Sequence, residues 1–175
     1  LRGRLEMSDV TPEQLDNAKS LSIIVSKGTF DWAYPPFILA TTALAMDMKV
    51  SMFFTFYGLG LLKKNLNLGV STLGNAAMRM PMMGMKMAMP NIVAAVPGAQ
   101  KLTSVMMGNL IKKKGIASIE ELREITVEGE ATMIACQMTM DLFEFSPDDL
   151  IEGHELGGAA TYLEAAIKSD INLFV

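Results

Sequence analysis

The residue with the clearest chemical potential is Cys136, the only cysteine of the chain, which ends the apolar run 131–136. A lone cysteine is most often a small, buried apolar residue. The run before it, however, predicts a buried parallel strand, and sites of open α/β sheets form beyond the carboxyl ends of such strands. A short loop and a helix are predicted to follow, and a thiol beside a helix N-terminus gains stabilisation of its thiolate, which is the nucleophilic form and the form that accepts a sulfane sulfur. Cys136 is therefore the candidate reactive group.

Residues that follow the other predicted strands are expected at the same edge of the sheet, because the carboxyl ends of parallel strands lie together. Lys27 would bring positive charge to a thiolate there, whereas a solvated loop lysine is the more common role. The hydroxyl of Tyr57 would point into the site. The candidate substrate-binding residues are Lys27, Gly28, Thr29, Tyr57, Gly58 and Gln137.

Other residues with polar or aromatic chemistry fit structural roles better. Trp32 and Tyr34 are expected to pack in the core rather than to wall a pocket. His154 lies in an acidic stretch and is expected at the surface. Gly157 and Gly158 open a predicted helix and are expected to let it approach the sheet closely.

The counts of metal-binding residue types exclude several classes of site. One cysteine and one histidine allow neither an intrachain disulfide nor a His/Cys metal cluster within one chain. The chain also lacks the G-x-S-x-G elbow of serine hydrolases. We therefore predict a site with no metal and no cofactor.

Seven methionines fall within twelve residues, 78–89, and are interrupted by Pro81 and Gly84. This alternation is typical of neither a helix nor a strand, so stretch 70–98 is predicted to be a long loop. Thioethers at this density are ligands for Cu(I). An adaptable apolar contact for a partner, a subunit or a membrane surface is the favoured interpretation.

The elements that position Cys136 follow from the spacing of apolar residues. Strand, helix and strand within residues 21–56 form a βαβ unit, which implies parallel pairing. The fold class predicted is a three-layer α/β sandwich, in which helices flank a mostly parallel sheet of about five strands. Strands are predicted over 21–25, 49–56, 131–136 and 171–175, and helices over 30–46, with Pro35 and Pro36 in its first turn, 59–64, 99–114, 118–127, 139–143, capped by Thr139, and 157–168.

Length and composition indicate one folded domain. The chain has 175 residues, of which 50% are hydrophobic and 19% charged, so disorder is not expected. Residues 21–175 are predicted to form the domain, and residues 1–20 an extension with a short helix beginning at Thr11.

Charge and hydropathy restrict the kinds of partner and the cellular location that are expected. The net charge of -4 argues against binding nucleic acid through bulk charge. Residues 1–115 hold 13 basic and 6 acidic side chains and residues 116–175 hold 2 and 13, which indicates either internal complementarity or a basic partner. No apolar run reaches transmembrane length and no signal peptide is apparent, so a cytoplasmic location is expected.

Several segments together resemble a known family. They are IVSKGT at 24–29, FFTFYGL at 53–59, the Met–Pro tract before Asn91, KKG at 113–115 and IACQMTMD at 134–141. This ordered set resembles the DsrE/DsrF-like sulfur-relay family, and within it the stand-alone DsrE-type branch that is often labelled peroxiredoxin-like. That label fits poorly, because a two-cysteine peroxidase cycle needs a resolving cysteine that this chain lacks.

The resemblance implies an α/β protein that carries sulfur as a persulfide at the position of Cys136. It also implies homo-oligomers and exchange of sulfane sulfur with TusA-like carriers and rhodanese-like proteins. The functional hypothesis is a sulfur carrier or sulfurtransferase. Two alternatives stay open: a non-catalytic module that docks on proteins or membranes through the Met-rich stretch, and a thiol redox sensor that is oxidised at Cys136.

Overall fold

The structure, a computed structural model, describes residues 20–71, 79–82, 85–88 and 99–175. The predicted helix beginning at Thr11 lies outside these residues. In chain order, the described elements are β1 (Ser20–Val25), α1 (Phe30–Ala45), β2 (Lys49–Phe54), a 3₁₀ helix (Phe56–Leu62), β3 (Arg79–Met82), β4 (Met85–Ala88), α2 (Ala99–Lys113), α3 (Ile119–Glu128), β5 (Thr132–Cys136), α4 (Gln137–Phe143), a 3₁₀ turn (Pro147–Asp149), β6 (His154–Gly157), α5 (Ala159–Ala166) and β7 (Ile171–Phe174).

Five strands form one sheet in the order β6-β5-β2-β1-β7, and all four pairings are parallel. The predicted α/β sandwich is therefore confirmed. In the central pairing, Phe54 lies opposite Ala135 on β5, so Thr55 follows at the level of Cys136. The carboxyl ends of β1, β2 and β5 thus meet at one edge of the sheet.

The two faces of the sheet carry different helices. α1 and α3 pack against each other on one face, over a large apolar cluster that includes Ile23, Met52 and Met133. α5 packs on the other face, and there Tyr162 meets Phe53 and Ile134. Strand residues alternate between these faces because successive side chains of a strand point in opposite directions.

Polar side chains fix the ends of several elements. Ser118 and Glu121 form the predicted capping box at the start of α3. Gly115 has φ +68°, the left-handed conformation expected of the residue that ends a helix before a turn. Arg123 is buried on α3, and its Nη1 donates hydrogen bonds to the carbonyl oxygens of Leu61, at 2.9 Å, and Lys63, at 2.6 Å. These bonds tie α3 to the end of the 3₁₀ helix.

Four expectations about the elements are wrong. The stretch 70–98 is not a loop throughout, because β3 and β4 pair as an antiparallel hairpin; 72–78, 83–84 and 89–98 lie outside the described residues. Pro35 and Pro36 lie in the second turn of α1, since the helix begins at Phe30. The helix predicted over 59–64 is a 3₁₀ helix that begins earlier, at Phe56.

The segment before α5 also differs from the prediction. Residues 154–157 form β6, an edge strand, although their polar composition predicted none. Gly157 therefore ends a strand, and α5 begins at Ala159 rather than at Gly157. An edge strand is partly exposed to solvent, so it requires apolar side chains on one face at most. The pattern of apolar residues that predicts a strand is therefore weak here.

Candidate functional site

Cys136 is the last residue of β5 and the N-cap of α4. Its side chain is 3% exposed and packs with Phe53, Ile134 and Tyr162 on the α5 face of the sheet. Thr139, predicted as the cap of this helix, is instead its third residue, because the helix begins two residues earlier than expected. The thiol is therefore held between the end of a central strand and the first turn of a helix.

Burial and hydrogen bonding act on this thiol in opposite directions. Burial raises the pKa of Cys136, because a thiolate is poorly solvated there. Hydrogen bonds from the hydroxyl and backbone amide of Thr139, the hydroxyl of Thr55 and the backbone amide of Met138 lower it. The hydrogen bonds prevail, so the pKa of Cys136 lies below its ordinary value of 9.0. This favours the nucleophilic form of the sulfur.

Two threonines that were not predicted as site residues line this position. The Oγ1 atoms of Thr55 and Thr139 lie 3.3 Å apart, and Thr139, only 1% exposed, accepts a hydrogen bond from the backbone amide of Phe56 at 3.1 Å. Phe56 has φ +46°, an uncommon conformation for a non-glycine residue. The position of Thr55 directly after β2 was the available sequence signal, because it places the residue at the level of Cys136.

The loops after β1 and β2 pack backbone against backbone. The amide of Thr55 donates to the carbonyl oxygen of Val25 at 3.0 Å, and the amide of Gly58 donates to that of Ser26 at 3.2 Å. A Cβ at Gly58 would lie 2.7 Å from the carbonyl carbon of Val25, and one at Gly28 would lie 3.0 Å from the carbonyl carbon of Tyr57. Both glycines are therefore required by close approach, which explains the predicted loop glycines without a bound ligand.

The candidates on the β1 loop have structural partners of their own. The Nζ of Lys27 lies 3.2 Å from the centroid of the Trp32 ring, so the lysine makes a cation–π contact and Trp32 is not a core residue. Among the described residues, the groups that lower the pKa of Cys136 are hydroxyls and amides, and Lys27 is not one of them. Thr29 precedes α1, and its hydroxyl is buried with no hydrogen-bond partner in the described part of the chain.

Exposed apolar side chains lie on the 3₁₀ helix after β2 and on α4, the two elements that begin at this edge of the sheet. Tyr57 is 73% exposed, and its ring stacks on that of Phe143 at a centroid distance of 5.8 Å. Phe56 is exposed beside it, and Met138 and Leu142 are exposed on α4. Gln137 is exposed in the same turn. We call Phe56, Tyr57, Met138 and Leu142 the apolar rim.

The remaining candidates have structural roles. His154 lies on β6, with its Nδ1 2.7 Å from the carbonyl oxygen of Ile151. A Cβ at Gly157 would lie 2.8 Å from Cγ2 of Ile134 and 3.0 Å from Cβ of Thr161, so this glycine allows close packing, as expected. The hydroxyl of Tyr34 donates to the carbonyl oxygen of Ala117 at 3.2 Å.

A groove of about 1040 Å³ lies between α1, α2 and α3, and its lining includes Tyr34, Ile111 and Glu124 but no member of the Cys136 cluster. Within the described ranges, no group of three or more His, Cys, Asp or Glu side chains could hold a metal ion. In the same ranges, no helix has the length and hydropathy needed to cross a bilayer.

Comparison with known proteins adds a family and two relatives. A sequence model of the DsrE/DsrF/DrsH-like family matches residues 17–174. The chain is 54% identical over 157 residues to the sulfur carrier protein DsrE2 of Allochromatium vinosum, covering 90% of this chain and 98% of that protein. It is 29% identical over 163 residues to the uncharacterized protein YrkE of Bacillus subtilis, covering 91% of this chain and 99% of YrkE. The crystal structure of ychN protein from E. coli aligns with a TM-score of 0.49 and 12% identity over 90% of this chain and 99% of that one.

Proposed function

The chain belongs to the DsrE/DsrF/DrsH-like family, and from this premise we propose that it is a sulfur carrier that holds sulfane sulfur as a persulfide on Cys136. The relative that is 54% identical is named a sulfur carrier protein. The persulfide is assigned to Cys136 on one observation. Cys136 is the only cysteine of the chain, so no other side chain can form a persulfide.

The proposed reaction needs only thiolate chemistry. The Cys136 thiolate attacks the outer sulfur of a donor persulfide, a new S–S bond forms, and the donor leaves as a thiolate. In the reverse sense, an acceptor thiolate attacks the outer sulfur on Cys136. The lowered pKa of Cys136 supports this role, because it increases the fraction of thiolate at neutral pH.

Access to the sulfur suggests how partners approach. Only 3% of Cys136 is exposed, whereas the outer sulfur of a persulfide would stand about 2 Å further out. The apolar rim around it offers contact area to a protein that presents a reactive thiol. We propose TusA-like or rhodanese-like proteins as donors and acceptors, as the family resemblance implies, and assign the rim to their docking.

Intact-protein mass spectrometry after treatment with polysulfide tests the carrier role. We expect the wild-type chain to gain about 32 Da, the mass of one sulfur atom, and to lose it on addition of a reducing thiol. Cys136→Ser removes the only thiol and should gain nothing, while its circular dichroism and sedimentation should match those of the wild type. A Cys136→Ser protein that still takes up labelled sulfane sulfur at the parent rate would eliminate the proposal.

The two alternatives give different results in the same samples. A thiol redox sensor would collect sulfenic acid or glutathione adducts on Cys136 at low peroxide, without stable sulfur loading. A docking module would bind its partner equally well as Cys136→Ser. A rim variant, Leu142→Asp, should load normally from polysulfide but transfer sulfur slowly to a protein acceptor, because Leu142 is not among the groups that hydrogen-bond the sulfur and the small reagent does not use the rim.

We also propose that the protein is a homo-oligomer. The edge formed by α5 and β7 leaves apolar side chains in solvent, among them Ile167, 83% exposed, and Phe174, 72% exposed. Apolar surface of this kind is typical of subunit contacts. Sedimentation should show a species larger than 19.0 kDa at micromolar concentration, and Ile167→Glu should shift it towards that mass. A wild-type chain that sediments as a 19.0 kDa species would contradict this.

A further inference from the structure

Two hydroxyl groups lie beside the sulfur of Cys136, on different elements. Thr55 follows β2 at the level of Cys136, and Thr139 lies in the first turn of α4, of which Cys136 is the N-cap. Their oxygens lie 3.3 Å apart, within hydrogen-bond distance of each other. The hydroxyls therefore form a pair that shares its hydrogen bonds with one sulfur atom.

The bond from Phe56 decides how Thr139 can use its proton. The backbone amide of Phe56 donates to Oγ1 of Thr139 at 3.1 Å and occupies a lone pair of that oxygen. The hydroxyl proton of Thr139 stays free to donate, either to Thr55 or to the sulfur. A thiolate is the stronger acceptor, because a hydrogen bond to a charged group is worth more than one to a neutral group. Both hydroxyls therefore turn towards the sulfur when it carries the negative charge.

We infer that Thr55 and Thr139 act as positioning residues that favour release of sulfane sulfur, by stabilising Sγ of Cys136 as the leaving thiolate. This inference rests on the proposed function. In a persulfide the ionisable group is the outer sulfur and Sγ carries no charge, so Sγ is a weak acceptor and the two hydroxyls gain little. After transfer Sγ holds the full charge, and both hydroxyls donate to it. The pair thus distinguishes the empty carrier from the loaded one.

The release step balances without any added oxidant or reductant. An acceptor thiolate attacks the outer sulfur, the acceptor S–S bond forms and the bond from Sγ to the outer sulfur breaks. The bonding electron pair goes to Sγ, and the outer sulfur keeps its own proton and leaves on the acceptor. Exchange of this type is faster when the leaving thiol has a lower pKa.

The ionisable side chains near Cys136 do not contribute to the stabilisation of its thiolate. On the elements around Cys136, the titratable side chains are Lys49 on β2, Tyr57 on the 3₁₀ helix, Asp141 on α4, His154 and Glu155 on β6, and Tyr162 and Glu164 on α5. The hydroxyl of Tyr162 lies 3.0 Å from that of Ser22. None of these groups is a cause of the lowered pKa of Cys136, which comes from the hydrogen bonds described above.

Cyanide is a suitable probe of release, because it is small enough to reach a buried site and needs no docking surface. It forms a C–S bond to the outer sulfur, Sγ departs as the thiolate with the bonding electron pair, and the outer sulfur loses its proton to water, which gives thiocyanate. Protein loaded with polysulfide and freed of excess reagent would be mixed with cyanide, and thiocyanate formation followed with time. We expect Thr55→Val and Thr139→Val to release sulfur about threefold more slowly or worse, because a less acidic leaving thiol departs more slowly.

The variants separate hydroxyl chemistry from structural damage. Thr139→Val also removes the acceptor of the Phe56 amide, whereas Thr55→Val leaves that bond in place, so the effect must appear in both. Thr139→Ser keeps the hydroxyl and should restore most of the rate. Thr126→Val is the matched control, because Thr126 is fully buried and hydrogen-bonded on α3, which packs against α1 on the other face.

A second readout does not depend on sulfur loading. The pH profile of alkylation of the unloaded thiol by iodoacetamide should move to higher pH in both valine variants and stay in place in Thr139→Ser and Thr126→Val. Wild-type release rates in folded Thr55→Val and Thr139→Val would overturn the inference while leaving the carrier role intact. A wild-type chain that takes up no sulfur would overturn the proposed function, and the inference with it.

Discussion

Replacement of Gly58 by alanine should destabilise the protein and disturb the site together. Gly58 lies in the 3₁₀ helix after β2, where its backbone contacts the end of β1. An added Cβ would lie 2.7 Å from the carbonyl carbon of Val25 and 3.1 Å from the amide nitrogen of Ser26. Real Cβ atoms essentially never approach other atoms within 3.0 Å, so one of the two loops must move.

The magnitude follows from what would have to shift. The opposing atoms are backbone, and they are held by hydrogen bonds from Thr55 to Val25 at 3.0 Å and from Gly58 to Ser26 at 3.2 Å. Overpacking against a constrained neighbour costs about 1–3 kcal/mol, and backbone atoms put this substitution at the upper end, about 3 kcal/mol. For a chain of this size each kcal/mol lowers the Tm by about 2–4 °C, so the expected fall is about 6–12 °C.

Gly60 provides the matched control, two residues away in the same 3₁₀ helix. A Cβ there would meet nothing within 4 Å, so Gly60→Ala should leave stability unchanged or raise it by up to about 1 kcal/mol. Thermal and urea unfolding of the two variants, followed by circular dichroism, measure the difference. If both variants melt within about 2 °C of the wild type, the close approach of the two loops is not what requires glycine at this position.

Three further predictions concern single side chains. Arg123→Met should lower the free energy of unfolding by about 2–3 kcal/mol in urea titration, because the carbonyls of Leu61 and Lys63 lose their donor; a wild-type midpoint would contradict this. Ser118→Ala should lower it by about 1 kcal/mol at neutral pH. The pKa of Glu121 is lowered first by the backbone amide of Ser118, which alanine keeps, and then by its side chain, which alanine lacks. Only the side-chain part of the difference from the wild type should therefore shrink as the pH falls through the folded pKa of Glu121. The Cys136 thiol is more acidic in the folded chain than in the unfolded chain. The free energy of unfolding of the wild type, relative to that of Cys136→Ser, should therefore rise with pH from the folded pKa of Cys136 up to about 9.0 and then level off. A difference that stays constant with pH would count against the hydrogen-bonded thiolate.

Local sequence signals were sufficient where the chemistry is local. The capping box at Ser118, the left-handed Gly115 and the apolar runs of β1 and β5 depend on neighbouring residues, and each appears as predicted. Weak local signals gave wrong elements. β6 is polar because it lies at the edge of the sheet. The β3–β4 hairpin was not predicted because its sequence is rich in methionine, which has no strong preference for strands.

The sequence by itself determined that Cys136, as the only thiol, must carry any persulfide, and that it stands between a strand and a helix. Only the tertiary structure decided which groups surround the sulfur. Thr55 and Thr139 are 84 positions apart, and they meet because β2 and β5 are neighbours in parallel register. The pairing of β1 with β2 brings the loops after them together and requires glycine at positions 28 and 58. Such contacts depend on which strands pair and in what register. The alternation of apolar residues along one strand does not identify the strand that pairs with it.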